Sequence, residues 1–161
     1  MSEALMETWD RVKLPPRPAL QSVTVDPKKT AFFLLDFLHE VCTPEFSKGT
    51  GAELAEALQP IDGERIYSAP FDKFHGNDLE SYVRGRGVDT IILTGTSPNG
   101  CLLFTTAGAL LRGFRAIVPI DGMPAKTLYQ EQFVAWQIAN GPGQFSKAAT
   151  LTTLADITFR S

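Results

Sequence analysis

Cys101 is the residue of this chain whose sequence surroundings most directly predict a catalytic role. It ends a glycine-containing turn that joins the apolar run Ile91–Leu93 to a segment with small and apolar residues at helical spacing. The first turn of a helix offers unpaired backbone N–H groups and the positive end of the helix dipole, and both stabilise a thiolate, the nucleophilic form of cysteine. We therefore expect a nucleophile for covalent catalysis, with a small buried thiol at a helix start as the alternative.

Asp36 and Lys73 are the side chains that could serve such a nucleophile. A thiol that attacks a substrate needs a group to take its proton and a positive charge to stabilise the thiolate. Asp36 closes the apolar run Thr30–Leu35, where a carboxylate is partly withdrawn from water and suited to proton transfer. The alternatives are a loop-capping role for Asp36 and an ordinary surface position for Lys73.

Strand-like and helical segments alternate from Asp36 onward. We expect strands at 30–35, 65–68, 88–94, 114–120 and 149–154, and helices at 52–58, 77–86, 100–112 and 126–140, the last with Leu128, Phe133 and Trp136 facing inward. This alternation predicts a single α/β domain, 30–161, with a mostly parallel sheet flanked by helices on both faces, preceded by a proline-rich N-terminal arm, 1–29. Because ligands bind at the carboxyl ends of parallel strands, Asp36 and Cys101 are expected in one crevice.

The composition limits the classes of partner. The chain has 161 residues, of which 43% are hydrophobic and 20% charged, and its net charge is −3. Without a basic cluster it lacks the positive surface expected of a nucleic-acid binder, and no apolar run approaches the ~20 residues that span a bilayer. We expect no nucleic acid or membrane as partner. The N-terminus lacks a hydrophobic signal core, so a cytoplasmic location is expected, with Cys42 and Cys101 as free thiols.

Three segments resemble the isochorismatase-like family of cysteine hydrolases. They are AFFLLDF (31–37), KFHGNDLESYVRGRGVDTIILTGTSPNGC (73–101) and TTAGALLRGFRAIVPIDG (105–122). The first resembles the family's apolar strand that ends in a catalytic Asp, and the second carries Thr-Gly with a Cys six residues after that Gly. The resemblance covers about residues 30–157 and implies a Rossmann-like three-layer fold.

The resemblance implies a catalytic triad and a mechanism. Asp36 would be the base, Cys101 the nucleophile and Lys73 the lysine. A cis peptide bond would join Thr96 to Ser97, and the backbone N–H groups of Ser97 and Cys101 would form the oxyanion hole. The implied activity is metal-independent hydrolysis of a small amide or related C–N or C–O compound through a thioester-type intermediate.

Two features depart from the family pattern. The family lysine lies about six residues before the Phe of the helix-leading motif, and counting back from Phe74 places Ser68 there, whereas Lys73 directly precedes Phe74. A catalytically silent binding or assembly protein is therefore the alternative function. In addition, 43–65 is too short for a further helix and strand that the family carries, with 46–49 as the expected junction, through either a deletion or a dropped segment.

The remaining site expectations concern metal, cofactor and pocket. The only histidines are His39 and His75, and no Asp-x-His cluster is present, so we expect neither a metal nor a cofactor. A flavodoxin-like nucleotide site is disfavoured because the turn before Cys101 lacks the G-x-G-x-x-G spacing. We expect a small-molecule substrate in contact with Phe37, His39, Ser68 and Tyr129. The resemblance also implies a homo-oligomer.

Overall fold

The computed structural model describes residues 5–11, 13–37 and 59–160. Its strands are β1 (Val23–Val25), β2 (Thr30–Leu35), β3 (Thr90–Gly95), β4 (Arg115–Pro119), β5 (Ala149–Thr152) and β6 (Ile157–Phe159). Its α-helices are α1 (Leu5–Thr8), α2 (Leu79–Arg84), α3 (Leu103–Leu111), α4 (Leu128–Asn140) and α5 (Gln144–Ala148), with 3-10 turns at Trp9–Arg11, Ile120–Gly122 and Leu154–Asp156. Within these ranges no helix is long and apolar enough to cross a membrane.

A four-stranded parallel sheet in the order β2-β3-β4-β5 forms the centre of the molecule. All six residues of β3 are buried, as expected for a continuous apolar run inside a parallel sheet. The predicted α/β class with a mostly parallel sheet is confirmed. Because all strands run the same way, the carboxyl ends of β2 and β3 lie side by side.

The two faces of this sheet are covered by different elements. Alternate residues of a strand point to opposite faces. Leu93 belongs to a core with side chains of α2, α3 and α4, whereas Ile92 packs with Ile117 and Val25. Val25 lies in β1, which pairs in parallel with β6. The predicted N-terminal arm therefore contributes a strand that covers part of one sheet face.

The predicted strand at 65–68 differs from the structure. Residues 65–68 form no strand. Side chains of this segment pack against Tyr82 instead: the Tyr67 ring lies 6.1 Å from the Tyr82 ring, and the Arg65 guanidinium carbon lies 4.3 Å from its centre. The predicted helix at 52–58 and the predicted junction at 46–49 lie outside the described residues.

Helix α4 also presents a different face to the core than expected. Its buried residues are Val134, Ala135 and Ile138. The three residues predicted to face inward stay exposed: Leu128 at 66%, Phe133 at 38% and Trp136 at 40%. The helix carries apolar residues on more than one face, and the smaller side chains pack against the sheet.

Candidate active site

The ends of β2 and β3 approach closely enough to bring Asp36 beside the turn that follows β3. Gly95 has φ +136°, and a Cβ added there would lie 2.0 Å from the carbonyl oxygen of Leu35, so only glycine fits. Beyond it, the Thr96 N–H donates to the Leu35 carbonyl at 3.0 Å and the Thr96 hydroxyl to the Asp36 carbonyl at 3.0 Å. Asp36 itself has φ +52°, which turns the chain sharply at the strand end.

A single π-helical turn, Pro98–Leu102, carries Cys101 from β3 into α3. The peptide bond between Thr96 and Ser97 is cis, the bond that the resemblance singled out. The Ser97 carbonyl accepts the N–H groups of Gly100 at 3.0 Å and of Leu102 at 3.4 Å. Cys101 therefore lies in a helical turn that runs directly into α3, near the start of the predicted helix 100–112.

Lys73 reaches Asp36 across the site. Its Nζ lies 2.8 Å from Oδ1 of Asp36 and donates to the Ala69 carbonyl at 2.9 Å. The side chains are 12% and 28% exposed, respectively, so the ion pair is largely withdrawn from water. Both groups also interact electrostatically with the Cys101 thiol. The structure thus brings Asp36, Lys73 and Cys101 together.

The electrostatics of Cys101 differ from the sequence expectation that its position favours a thiolate. Burial raises the pKa of the Cys101 thiol, and its hydrogen bond to Asp36 and the negative charge of Asp36 raise it further. The Lys73 ammonium lowers this pKa but does not outweigh the other two causes. These effects favour the protonated thiol over the thiolate, and the thiol lies beside the Asp36 carboxylate.

The backbone of Lys73 is held by α3. Its N–H donates to Oγ1 of Thr105 at 3.2 Å, and that hydroxyl donates in turn to the Phe71 carbonyl at 3.0 Å. The Lys73 carbonyl accepts the side-chain amide of Asn77 at 2.9 Å. Sequence reasoning did not single out Thr105. The signal available in the sequence was a threonine within an apolar helical segment, because a buried hydroxyl needs a hydrogen-bond partner. In the structure Thr105 is fully buried.

The predicted substrate contacts have different surroundings. Phe37 is half-buried directly after Asp36, whereas Ser68 and Tyr129 are exposed. His39 lies outside the described residues. Next to Tyr129, the Gln130 side chain donates to Oδ1 of Asn99 at 3.4 Å, which links the start of α4 to the Cys101 turn.

A cavity of about 430 Å³ reaches the ion pair from the side of β2. Its wall includes Asp36 and Lys73 together with Arg65, Tyr67 and Tyr82. This volume is within the range of small-molecule sites. Within the described ranges, no group of three or more His, Cys, Asp or Glu side chains is placed to hold a metal ion.

Comparison with known proteins gives a consistent set of relatives. The family model described as the Isochorismatase domain matches residues 24–156. The chain is 33% identical over 106 residues to N-carbamoylsarcosine amidase from Arthrobacter sp., which covers 65% of this chain and 40% of that protein. It is 35% identical over 68 residues to maleamate amidohydrolase from Pseudomonas putida, which covers 42% and 32%, respectively.

Solved structures of isochorismatase family proteins are also similar to this chain. An isochorismatase family protein from Desulfovibrio vulgaris matches with a TM-score of 0.59 and 27% identity, over 66% of this chain and 54% of that one. An isochorismatase-like hydrolase from Alkaliphilus metalliredigens matches with a TM-score of 0.58 and 27% identity, over 67% and 57%. The chain thus spans less than two thirds of the length of these relatives.

Proposed function

The chain belongs to the isochorismatase family, and from this premise we propose that it is a metal-independent cysteine hydrolase that cleaves a small amide or a related C–N or C–O compound through a thioester at Cys101. One observation carries the proposal. The Asp36–Lys73 ion pair, at 2.8 Å, lies beside a half-buried thiol at the carboxyl edge of a parallel sheet. This arrangement supports a base, a positive charge and a nucleophile in one place.

In the proposed first half-reaction, Asp36 accepts the thiol proton as Sγ of Cys101 attacks the carbonyl carbon of an amide substrate. The π electrons of the carbonyl move onto its oxygen, where the N–H groups of Ser97 and Cys101 would donate. Collapse of this intermediate breaks the C–N bond. The proton held by Asp36 moves to the leaving nitrogen, which departs as ammonia or an amine and leaves a thioester.

In the second half-reaction, water takes the place of the leaving group. Asp36 accepts a proton from the water as the water oxygen attacks the thioester carbonyl. The C–S bond breaks, and the sulfur of Cys101 recovers its proton through Asp36. The product is a carboxylic acid, and the enzyme returns to its starting state. The raised pKa of Cys101 suits this scheme, because the proton moves during attack and no free thiolate has to form beforehand.

Lys73 would stabilise negative charge throughout the cycle. Its ammonium balances the Asp36 carboxylate in the resting site and the sulfur when the proton has moved to Asp36. The family lysine precedes the helix-leading Phe by about six residues, where this chain has Ser68. We propose that Lys73 supplies the same charge from a different backbone position, an idea that its contact with Asp36 supports.

The relatives suggest where to look for a substrate. One is named as an amidase for N-carbamoylsarcosine and another as an amidohydrolase for maleamate. Both names describe small compounds with a primary amide or carbamoyl nitrogen and a carboxylate. We propose a substrate of this general class, and the release of ammonia from a panel of such compounds would identify it.

The decisive test is hydrolysis by the purified chain and by Cys101→Ala. We expect the wild type to release ammonia from at least one panel member and Cys101→Ala to lose at least 100-fold of that rate, a magnitude on the order of that for losing a positioned catalytic group. Cys42→Ser is the matched thiol control and should retain the activity. EDTA should leave the rate unchanged. Activity that survives Cys101→Ala would overturn the mechanism.

A catalytically silent binding protein is the second candidate, and the observation that favours it is Ser68 at the position where the family carries its lysine. It predicts that panel compounds bind without being hydrolysed. Calorimetric binding of a compound that is not turned over, with equal affinity in Cys101→Ala, would support this function over hydrolysis.

We also propose that the chain forms a homo-oligomer. The exposed face of α4 carries Tyr129, Phe133 and Trp136 at helical spacing, and such a contiguous apolar stripe is typical of an interface with another protein. We commit to a second copy of this chain as the partner. Light scattering should give a mass above 17.6 kDa, and Trp136→Arg should reduce it to that of a single chain.

A reducing compartment such as the cytoplasm would suit the proposed activity. The mechanism needs Cys101 as a free thiol, which is its state in the structure. Fractionation of cells that express the chain would test this location.

A further inference from the structure

We propose that Arg112 is a positioning residue for Lys73. Through Asp72, it fixes the segment 71–74 against α3, so that the Lys73 ammonium stays beside Asp36 and Cys101. This inference rests on the proposed function, because it assigns a task to the lysine of that site. Arg112 itself follows the C-terminal end of α3, whereas Cys101 precedes its start. The two are separated by a nine-residue helix, about 14 Å long.

Arg112 makes directional contacts to the segment before α2 and to α2 itself. Its Nη1 lies 3.2 Å from Oδ2 of Asp72, and its Nε lies 3.1 Å from Oε2 of Glu80. The guanidinium carbon lies 4.8 Å from the centre of the Phe74 ring, which is itself buried. A guanidinium group has a rigid set of donors, so these three contacts define its position as well as its charge. At 26% exposure the side chain is mostly shielded from water.

Asp72 connects Arg112 to the turn that contains Lys73. One carboxylate oxygen, Oδ2, faces Arg112, and the other, Oδ1, accepts the backbone N–H of Phe74 at 3.0 Å. The Asp72 carbonyl accepts the N–H of His75 at 3.0 Å. Lys73 therefore lies inside a small turn closed by its neighbour's side chain. The hydrogen bond from the Lys73 N–H to Thr105 attaches the same turn to α3.

Gly108 makes room for this contact. A Cβ added there would lie 2.4 Å from Oδ1 of Asp72, closer than any real contact permits. The Gly108 carbonyl also accepts Nη1 of Arg112 at 2.9 Å. Helix α3 thus offers a flat surface on which Asp72 and Arg112 meet. In the part of the chain that the structure describes, the hydrogen bonds and ion pairs of these two side chains go to residues other than Asp36 and Cys101, so the effect on the site is indirect.

The test measures the titration of Cys101, a property that a merely structural arginine would not change. The rate of alkylation by iodoacetamide is followed against pH in a Cys42→Ser background. We expect Lys73→Met to raise the midpoint by about one pH unit, a tenfold loss of thiolate at a fixed lower pH. Arg112→Met should raise it by at least half as much. Adding Arg112→Met to Lys73→Met should give no further shift, because the ammonium is already gone.

Two further variants test the inference without relying on Arg112→Met alone, which could fail to fold. Gly108→Ala should shift the midpoint in the same direction through displacement of Asp72. Arg115→Met is the control, because Arg115 pairs with Asp89 at the opposite edge of the sheet, and it should leave the midpoint unchanged. If Arg112→Met does not fold, Arg112→Lys replaces it. We expect Arg112→Lys to shift the alkylation midpoint by less, because lysine keeps the positive charge but lacks the planar set of donors of the guanidinium group.

The outcomes separate this inference from the proposed function. A midpoint that shifts in Lys73→Met but stays within about 0.2 units of the wild type in folded Arg112 and Gly108 variants overturns the positioning role alone. No shift in Lys73→Met overturns both the charge role of Lys73 and the inference. Shifts in all three variants without hydrolysis of any substrate support the positioning role and count against the hydrolase.

Discussion

The Nζ atom of Lys73 lies 2.8 Å from the Oδ1 atom of Asp36, and both groups act on the thiol of Cys101. An ion pair with side chains 12% and 28% exposed is screened less by water than a surface pair, so each charge strongly affects its neighbour. The two charges shift the pKa of Cys101 in opposite directions. Variants of each residue should therefore have opposite and measurable effects.

The wild-type thiol should titrate above its value in the unfolded chain. Because burial and Asp36 raise the pKa of Cys101, alkylation at that position should reach half its maximal rate at a higher pH than in urea. Peptide mass spectrometry separates Cys101 from Cys42. Folding stability should also fall as pH rises through this interval, because the unfolded thiol ionises first. A midpoint lower in the folded protein would contradict this prediction.

Asp36→Asn should speed alkylation of Cys101 while strongly slowing hydrolysis. Removing the carboxylate removes a charge that raises the pKa of the thiol, and Lys73 is left to favour the thiolate. Hydrolysis should fall by about 100-fold or more, because no base remains to accept the thiol proton. A parallel loss of alkylation and hydrolysis would instead indicate that the site has lost its structure.

Lys73→Met should lower hydrolysis by about tenfold or more, because the charge that stabilises the sulfur is lost. Lys147→Met is the control. Lys147 is an exposed lysine in the last turn of α5, and its replacement should leave the rate unchanged. Equal rates in the two variants would mean that the contact between Lys73 and Asp36 serves structure and not catalysis.

Gly95→Ala should destabilise the chain far more than Gly113→Ala. Both glycines have positive φ, +136° and +81°, which costs an alanine about 1–2 kcal/mol. Only at Gly95 would the new Cβ also meet the Leu35 carbonyl, at 2.0 Å, whereas nothing lies within 4 Å at Gly113. The free energy of unfolding from urea titration should show a loss at Gly95 of at least about twice that at Gly113.

The main strands and the position of Cys101 are readable from the sequence because they follow from local pattern. Thr30–Leu35 and Thr90–Gly95 are apolar runs of the kind found in parallel sheets. All six residues of Thr90–Gly95 are buried, whereas Phe32 and Leu34 of β2, the edge strand among the described residues, are exposed. In such a sheet the strand ends meet on one side, so Asp36 and Cys101 were predictable as neighbours. Periodicity was less informative for α4, where several faces are apolar and packing selects which one is buried.

Whether Lys73 reaches Asp36, and which way the pKa of Cys101 moves, was decided only by the tertiary structure. The position of Lys73 depends on the path of an irregular segment held by Thr105, Asp72 and Arg112, groups distant in sequence that share no local signal. The pKa of the Cys101 thiol depends on opposing effects: burial and Asp36 raise it by more than the Lys73 ammonium lowers it. Local pattern places a residue type at a strand end or a helix start, but three-dimensional distances and exposure determine the balance of charges there.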